Sequence, residues 1–118
     1  MADNKQYITQ TQENGKVMIS ETVISSIVAQ SVSEVEGVVS LCTRSGEAVS
    51  KKNLNKGMKI VIAQDDTLCV DCNVIVEYGQ SVVVVAKAVQ DAITGAIESM
   101  TGIQVSNVNV NVCGVIRN

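Results

Sequence analysis

The stretch that decides the fold is Leu68–Tyr78, which reads LCVDCNVIVEY. Two sets of side chains alternate along it. The even-numbered set is apolar or aromatic and comprises Leu68, Val70, Cys72, Val74, Val76 and Tyr78. The odd-numbered set is more polar and comprises Cys69, Asp71, Asn73, Ile75 and Glu77. This alternation predicts a strand in a sheet with one packed face and one largely solvated face.

Four further strands are predicted around this stretch. Met58–Ile62 lead into it through the polar residues 64–67, which predicts a β-hairpin. Lys16–Ile19 and Val38–Cys42 each predict a short strand, and residues 105–112 predict the last one.

Two amphipathic helices accompany the strands. Apolar residues recur at helical spacing over residues 21–35, with Ser20 as N-cap and Gly37 as the left-handed residue that ends the helix. The second helix is predicted over residues 82–100, although its first four valines alone favour a strand. Thr101-Gly102 closes this second helix.

The predicted order of elements is β-α-β-β-β-α-β. It places two helices on one face of a mixed sheet of four to five strands, which is a two-layer sandwich of the α+β class. Residues 1–14 are rich in Gln, Thr and Asn and predict a flexible N-terminal tail. Residues 15–118 predict a single domain.

The composition argues against several classes of function. The 118 residues include no His, Trp or Phe and two Tyr, with 12 acidic residues against nine basic ones. Without His, neither a Ser-His-Asp triad nor a His-ligated metal site can be built. Scarce aromatic residues and a net charge of −3 argue against nucleic-acid binding. We expect no enzymatic activity, no cofactor and no metal.

The cellular location is predicted from the absence of a membrane-spanning stretch and of a secretory signal in the sequence. The sequence has no apolar stretch of about 18 residues, and residues 1–13 lack the apolar middle of a secretory signal. We therefore expect a cytoplasmic protein. Its cysteines are then expected to be reduced and to act as small hydrophobic residues, namely Cys42, Cys69, Cys72 and Cys113.

The segment Cys69-Val70-Asp71-Cys72 has the C-x-x-C spacing of redox and zinc sites. Redox pairs begin at a helix N-terminus, whereas this pair lies within a predicted strand, where residues three apart point to opposite faces. Cys42 and Cys113 are too scattered to complete a zinc site. We interpret the motif as structural.

Residues 44–56 carry four basic side chains in a polar, glycine-containing stretch. Two interpretations are open: contact with anionic lipid or nucleic acid, or a surface loop that is simply solvated. Solvation is the favoured interpretation.

Asparagines alternate with valines along the last predicted strand, although asparagine is disfavoured in strands. Two explanations are open: the asparagines present a binding surface, or they keep a valine-rich strand from aggregating edge to edge. The candidate interaction face consists of Asp71, Asn73, Asn107, Asn109 and Asn111.

Several runs between about residues 15 and 116 resemble, in the correct order, the alkaline shock protein family, to which cell-envelope stress response proteins of Gram-positive bacteria belong. The runs are residues 15–38, the hairpin ending Val76-Glu77-Tyr78-Gly79, and residues 89–115. The positions that carry the motif are Gly15, Gly37, Glu77, Tyr78, Gly79, Thr101, Gly102 and Asn109. The chain is similar to the short members of that family.

The resemblance implies a non-enzymatic protein of the alkaline or envelope stress response, without assigned catalytic residues. It implies peripheral association with the inner face of the cytoplasmic membrane through a membrane-anchored protein partner. The uncovered sheet face and the valine-rich strands predict, in addition, a protein that forms homo- or hetero-oligomers, with a homo-oligomer expected. Relatives linked to fatty-acid or lipid metabolism leave a second function open, that of a small regulatory or ligand-binding protein. A third, RNA binding, rests on the small α/β layout and the basic loop alone.

Overall fold

The computed structural model describes residues 7–42, 57–63 and 65–117. These residues form, in chain order, β1 (Tyr7–Gln12), β2 (Gly15–Ser20), α1 (Glu21–Ser33), β3 (Val38–Leu41), β4 (Met58–Ile62), β5 (Leu68–Glu77), α2 (Val82–Thr101) and β6 (Val105–Ile116). The predicted α+β class is confirmed. The basic loop predicted over residues 44–56 lies outside the described residues.

The alternating stretch becomes β5, the central strand of a four-stranded mixed sheet. β6 pairs in parallel with the whole of β5, from Leu68↔Val105 to Glu77↔Ile116. The other edge of β5 is shared by β4 and β3, which pair with it antiparallel. Because parallel neighbours need a crossover connection, α2 lies between β5 and β6 in the chain.

Both helices cover the same face of this sheet. The even-numbered residues of β5 from Leu68 to Val76 are all fully buried there. They share one core with the apolar stripes of the two helices, which include Ile24, Val28, Val32, Val85, Val89, Ile93 and Ile97. Burying these side chains is the main favourable contribution to folding, and it creates the two layers that the sequence predicts.

The helix ends follow the predicted capping residues. The Ser20 and Ser81 hydroxyls accept the backbone N–H groups of Val23 and Val84, at the starts of α1 and α2 respectively. Gly102 ends α2 in the left-handed conformation, with φ of 74°, and its N–H bonds to the carbonyl of Glu98. An L side chain is strained at such a φ, so glycine is the favoured residue there.

The prediction of a flexible tail through residue 14 is wrong for Tyr7–Gln12, which form β1. This strand pairs antiparallel with β2 through a two-residue connection that precedes Gly15, whose φ is 138°. Ile8 is buried, and the Gln10 side-chain amide donates to the Thr101 carbonyl at 2.7 Å. The polar composition of the segment conceals its alternation. Because β2 pairs with β1, Lys16–Ile19 belong to a separate two-stranded sheet and not to the main one.

A polar cross-strand ladder as candidate functional site

The register of β5 and β6 brings the predicted interaction face together. Asp71 lies opposite Asn109, and Asn73 lies opposite Asn111. Paired residues of neighbouring strands present their side chains on the same face of the sheet. Because the even-numbered residues of β5 face the helices, this polar face points the other way. We call it the ladder face and define it as Cys69, Asp71, Asn73, Asn107, Asn109 and Asn111.

Hydrogen bonds between side chains connect the two strands on the ladder face. The Asn109 amide nitrogen donates to Oδ1 of Asp71 at 2.7 Å, and the Asn111 amide nitrogen donates to Oδ1 of Asn73 at 3.1 Å. The Asn107 amide nitrogen lies 3.5 Å from the Cys69 sulfur. Each rung therefore ties one β6 asparagine to its β5 neighbour, which fixes the orientation of all three amides.

Ser106 adds a contact that sequence reasoning did not single out. Its hydroxyl donates to the backbone carbonyl of Leu68 at 3.0 Å and lies 3.5 Å from the Cys69 sulfur. It stands at an irregularity in the register, where Leu68 pairs with Val105 but Cys69 pairs with Asn107. A register shift of this kind has no signal in the amino-acid sequence.

The residues that carry the family motif lie mainly in turns and caps. Four glycines, all with positive φ, end or connect elements: Gly15, Gly37, Gly79 and Gly102. Thr101 closes α2, since its hydroxyl donates to the Ile97 carbonyl and accepts the Ile103 N–H. Tyr78 follows β5 beside Glu77, and its ring lies 4.9 Å from the Arg117 guanidinium carbon. Of the motif residues, only Asn109 belongs to the ladder face.

The structure confirms that the C-x-x-C pair lies within a strand and points to both faces. Cys72 is fully buried in the core, whereas Cys69 is half-buried on the ladder face. Burial, and to a lesser extent the neighbouring Asp71 carboxylate, raise the pKa of the Cys72 thiol from 9.0 to about 12. The thiol is protonated at neutral pH, so it is a poor nucleophile and a poor metal ligand.

The expectation that all four cysteines are reduced is wrong for Cys42 and Cys113, which form a disulfide. Cys42 follows β3 on one edge of β5, and Cys113 lies in β6 on the other edge. Their Cα atoms are 7.0 Å apart although 71 residues separate them in sequence. They meet because the Cys42 N–H bonds to Asn73 while an irregularity in β6 lies between Val112 and Gly114. Sequence spacing alone cannot bring them together.

The described residues offer neither a metal site nor a membrane-spanning helix. Within residues 7–42, 57–63 and 65–117, no three His, Cys, Asp or Glu side chains converge in a geometry that would hold a metal ion. Neither described helix combines the length and apolarity needed to cross a membrane.

A family model and several known proteins match most of the chain. The model of the alkaline shock protein 23 family, described as having a cell envelope-related function, matches residues 9–117. The uncharacterized protein YqhY of Bacillus subtilis (strain 168) is 33% identical over 105 residues, covering 86% of this chain and 77% of YqhY. No solved structure matches the chain significantly.

Two further relatives are more distant. The uncharacterized protein Spy1535 of Streptococcus pyogenes serotype M6 is 29% identical over 107 residues, covering 90% of this chain and 83% of Spy1535. YloU of Bacillus subtilis (strain 168), also uncharacterized, is 26% identical over 107 residues, covering 86% of this chain and 88% of YloU. Since the family model matches residues 9–117, the chain belongs to the alkaline shock protein family, whose function is cell envelope-related.

Proposed function

We propose that this protein is a non-enzymatic interaction module with a cell envelope-related role, and that the ladder face binds a protein partner. The observation that carries the proposal is the set of three side-chain contacts joining β5 to β6 on the face that the helices leave uncovered. The family description supports the cell-envelope setting.

The chemistry of the ladder face favours a protein partner over a small substrate. Interfaces between proteins are about as polar as the rest of the protein surface, whereas enzymes place their reacting groups in concave, mostly apolar pockets. Amide side chains donate and accept hydrogen bonds, and Asp71 adds a carboxylate. Because the rungs already orient these groups, little side-chain entropy remains to be lost on binding.

The setting of the interaction is a second part of the proposal. We propose that the protein acts at the inner face of the cytoplasmic membrane, held there by a membrane-anchored partner that docks on the ladder face. In this arrangement the chain touches the membrane only through the partner. The cell envelope-related function of the family supports the location.

The proposal is tested by adding charge to the ladder face. Asn109→Lys with Asn111→Lys places two ammonium groups there without touching a core residue. We expect the double variant to keep its circular dichroism spectrum and melting temperature, and to lose the partner that wild-type protein captures from membrane extracts. The matched control, Ser26→Lys with Ser33→Lys, adds the same charge to exposed positions of α1.

Two results would contradict the proposal. One is capture that both double variants retain equally, since the partner would then bind elsewhere. The other is capture of soluble enzymes of lipid metabolism in place of an envelope protein, which would support the regulatory alternative.

A further inference from the structure

The outer edge of β6 is a second surface with the properties of a binding site. β6 runs for 12 residues and pairs with β5 along one edge. Within residues 7–42, 57–63 and 65–117, no strand pairs with its other edge. A long open edge presents backbone donors and acceptors to any second strand that can reach it.

The direction of the backbone groups follows from the neighbouring hydrogen bonds. Odd-numbered β5 residues bond toward β3 and β4: the N–H groups of Asn73 and Glu77 donate to the carbonyls of Gly57 and Gly37, which directly precede β4 and β3. Even-numbered residues therefore bond toward β6: the Leu68 N–H donates to the carbonyl of Gln104, just before β6, and the N–H of Tyr78, just after β5, donates to the carbonyl of Ile116. The parallel register then directs the backbone of Asn109 and Asn111 toward β5.

The valines between these asparagines direct their backbone groups outward. One independent contact supports this assignment: the Gln90 side-chain amide reaches from α2 to the Val108 carbonyl at 3.0 Å. Val110 and Val112 then contribute two N–H groups and two carbonyls to the open edge. These four groups are the hydrogen-bonding surface on which the inference rests.

Neither charge nor proline protects this edge of β6. Natural sheets protect exposed edges with charged residues, proline or very short strands. β6 is long and contains no charged residue and no proline between Val105 and Ile116. Its polar side chains there are asparagines and one serine, and an amide can both donate to and accept from an identical amide.

We propose that the open edge of β6 pairs antiparallel with β6 of a second copy, on a two-fold axis at Asn111. Val110 of one copy then bonds to Val112 of the other, and the reverse, through four backbone hydrogen bonds. The two four-stranded sheets become one sheet of eight strands. This inference goes beyond the proposed function, because it concerns a different surface and a different partner.

A second copy fits this edge better than a charged peptide does. The two-fold axis at Asn111 leaves the bond from Gln90 to Val108 intact, and it sets Asn111 opposite Asn111. An uncharged strand meets its own copy without like-charge repulsion, which would oppose self-pairing of a Lys- or Glu-bearing strand. The valines of both copies also continue on one face of the extended sheet.

The first test compares Val110→Pro with Val110→Ala by analytical ultracentrifugation. Both variants lose the valine side chain, but only proline removes the outward N–H, and it spares every bond to β5. We expect wild type and Val110→Ala to be dimers and Val110→Pro to be a folded monomer. A monomeric wild type, or a Val110→Pro dimer, would overturn the proposal.

A second variant keeps the proposal testable if Val110→Pro fails to fold. Asn111→Cys places two thiols opposite each other at a non-hydrogen-bonded antiparallel pair, where Cα atoms approach to about 4.5 Å. Mild oxidation is expected to cross-link this variant into a covalent dimer, and to leave Asn107→Cys, four residues from the axis, uncross-linked. Equal cross-linking of both, or of neither, would overturn the proposed register.

The two proposals fail independently. Val110→Pro changes no side chain of the ladder face, so it is expected to capture the envelope partner as wild type does. Loss of the dimer with retained capture separates self-pairing from partner binding. Asn109→Lys alone gives the converse result, since it adds charge to the ladder face away from the two-fold axis: retained dimer with lost capture would separate partner binding from self-pairing.

Discussion

The two faces of the central strand β5 differ in the interactions that their side chains make. On the helix-covered face, every even-numbered β5 residue from Leu68 to Val76 is fully buried. On the ladder face, Cys69, Asp71 and Asn73 are half-buried and bond sideways to β6. Five alternate positions of one strand are therefore fully buried, whereas Cys69, Asp71 and Asn73 between them are only half-buried and Ile75 alone among the intervening residues is buried.

The difference shows which face of the strand can carry residues that contact a partner. A buried face tolerates little change, because core packing is dense and cavities are costly. A half-exposed face tolerates substitution, so its residues can be selected for a partner. The asparagines of β6 occupy the second kind of position.

The largest expected loss of stability comes from placing an asparagine, the residue type of the ladder face, on the buried face of β5. Val70→Asn removes a fully buried apolar side chain and leaves an amide without hydrogen-bond partners in the core. We expect a loss of about 3–5 kcal/mol in the free energy of unfolding, measured by urea denaturation. A loss below about 1 kcal/mol would mean that the two faces are not distinct.

A slightly smaller loss of stability is expected from a substitution in the turn after α1, where Gly37 packs against the core. Gly37 has φ of 96°, and a Cβ there would lie 2.8 Å from Cγ2 of Val85. Gly37→Ala is therefore expected to cost about 2–4 kcal/mol, from backbone strain and overlap together. Gly79→Ala is the control, since it has a similar φ of 99° and no atom within 4 Å. Equal melting temperatures for the two variants would contradict the close packing of Gly37 against Val85.

The buried thiol predicts a dependence on alkaline pH. The folded-state pKa of Cys72 is about 12 and its ordinary value is 9.0, so folding favours the protonated thiol. This stabilisation is fully present below pH 9 and is lost as the pH rises toward 12. Between pH 7.5 and 10.5, wild type is expected to lose on the order of 2 kcal/mol more than Cys72→Ala.

Chemical denaturation of both proteins at the two pH values measures this difference. Parallel loss of stability in wild type and Cys72→Ala would show that Cys72 ionises freely in the folded state. Labelling with a thiol reagent gives a second readout, because Cys69 is expected to react in the native protein much faster than Cys72.

The smallest effect on stability is expected on the ladder face. Asn109→Val removes one exposed hydrogen bond to Asp71 and adds a residue that favours strands. We expect the free energy of unfolding to change by about 0.5 kcal/mol or less in thermal denaturation. A change as large as that of Val70→Asn would mean that the ladder rungs are structural and not available for binding.

The elements that burial determines could be predicted from the sequence. The period-two alternation of β5 and the helical stripe of α2 each follow from which side chains must leave water. The left-handed end of α2 at Gly102 could be predicted as well, because glycine is the residue that such a φ favours.

The elements that pairing determines could not be predicted in the same way. The ladder rungs depend on the register between β5 and β6, and a one-residue slip would move every asparagine to the other face. The disulfide between Cys42 and Cys113 depends on three strands lying side by side. β1 depends on Ile8 reaching the core, which its polar neighbours conceal.

The central claim is that the ladder face, and not the outer side of α1, contacts a protein partner. Site-specific photo-crosslinking in cells tests it, with a photoreactive residue in place of Asn109 and, as control, in place of exposed Ser26. We expect an adduct of one defined mass from position 109, containing a cell-envelope protein, and no such adduct from position 26. Identical adducts from both positions, or none from position 109, would contradict it.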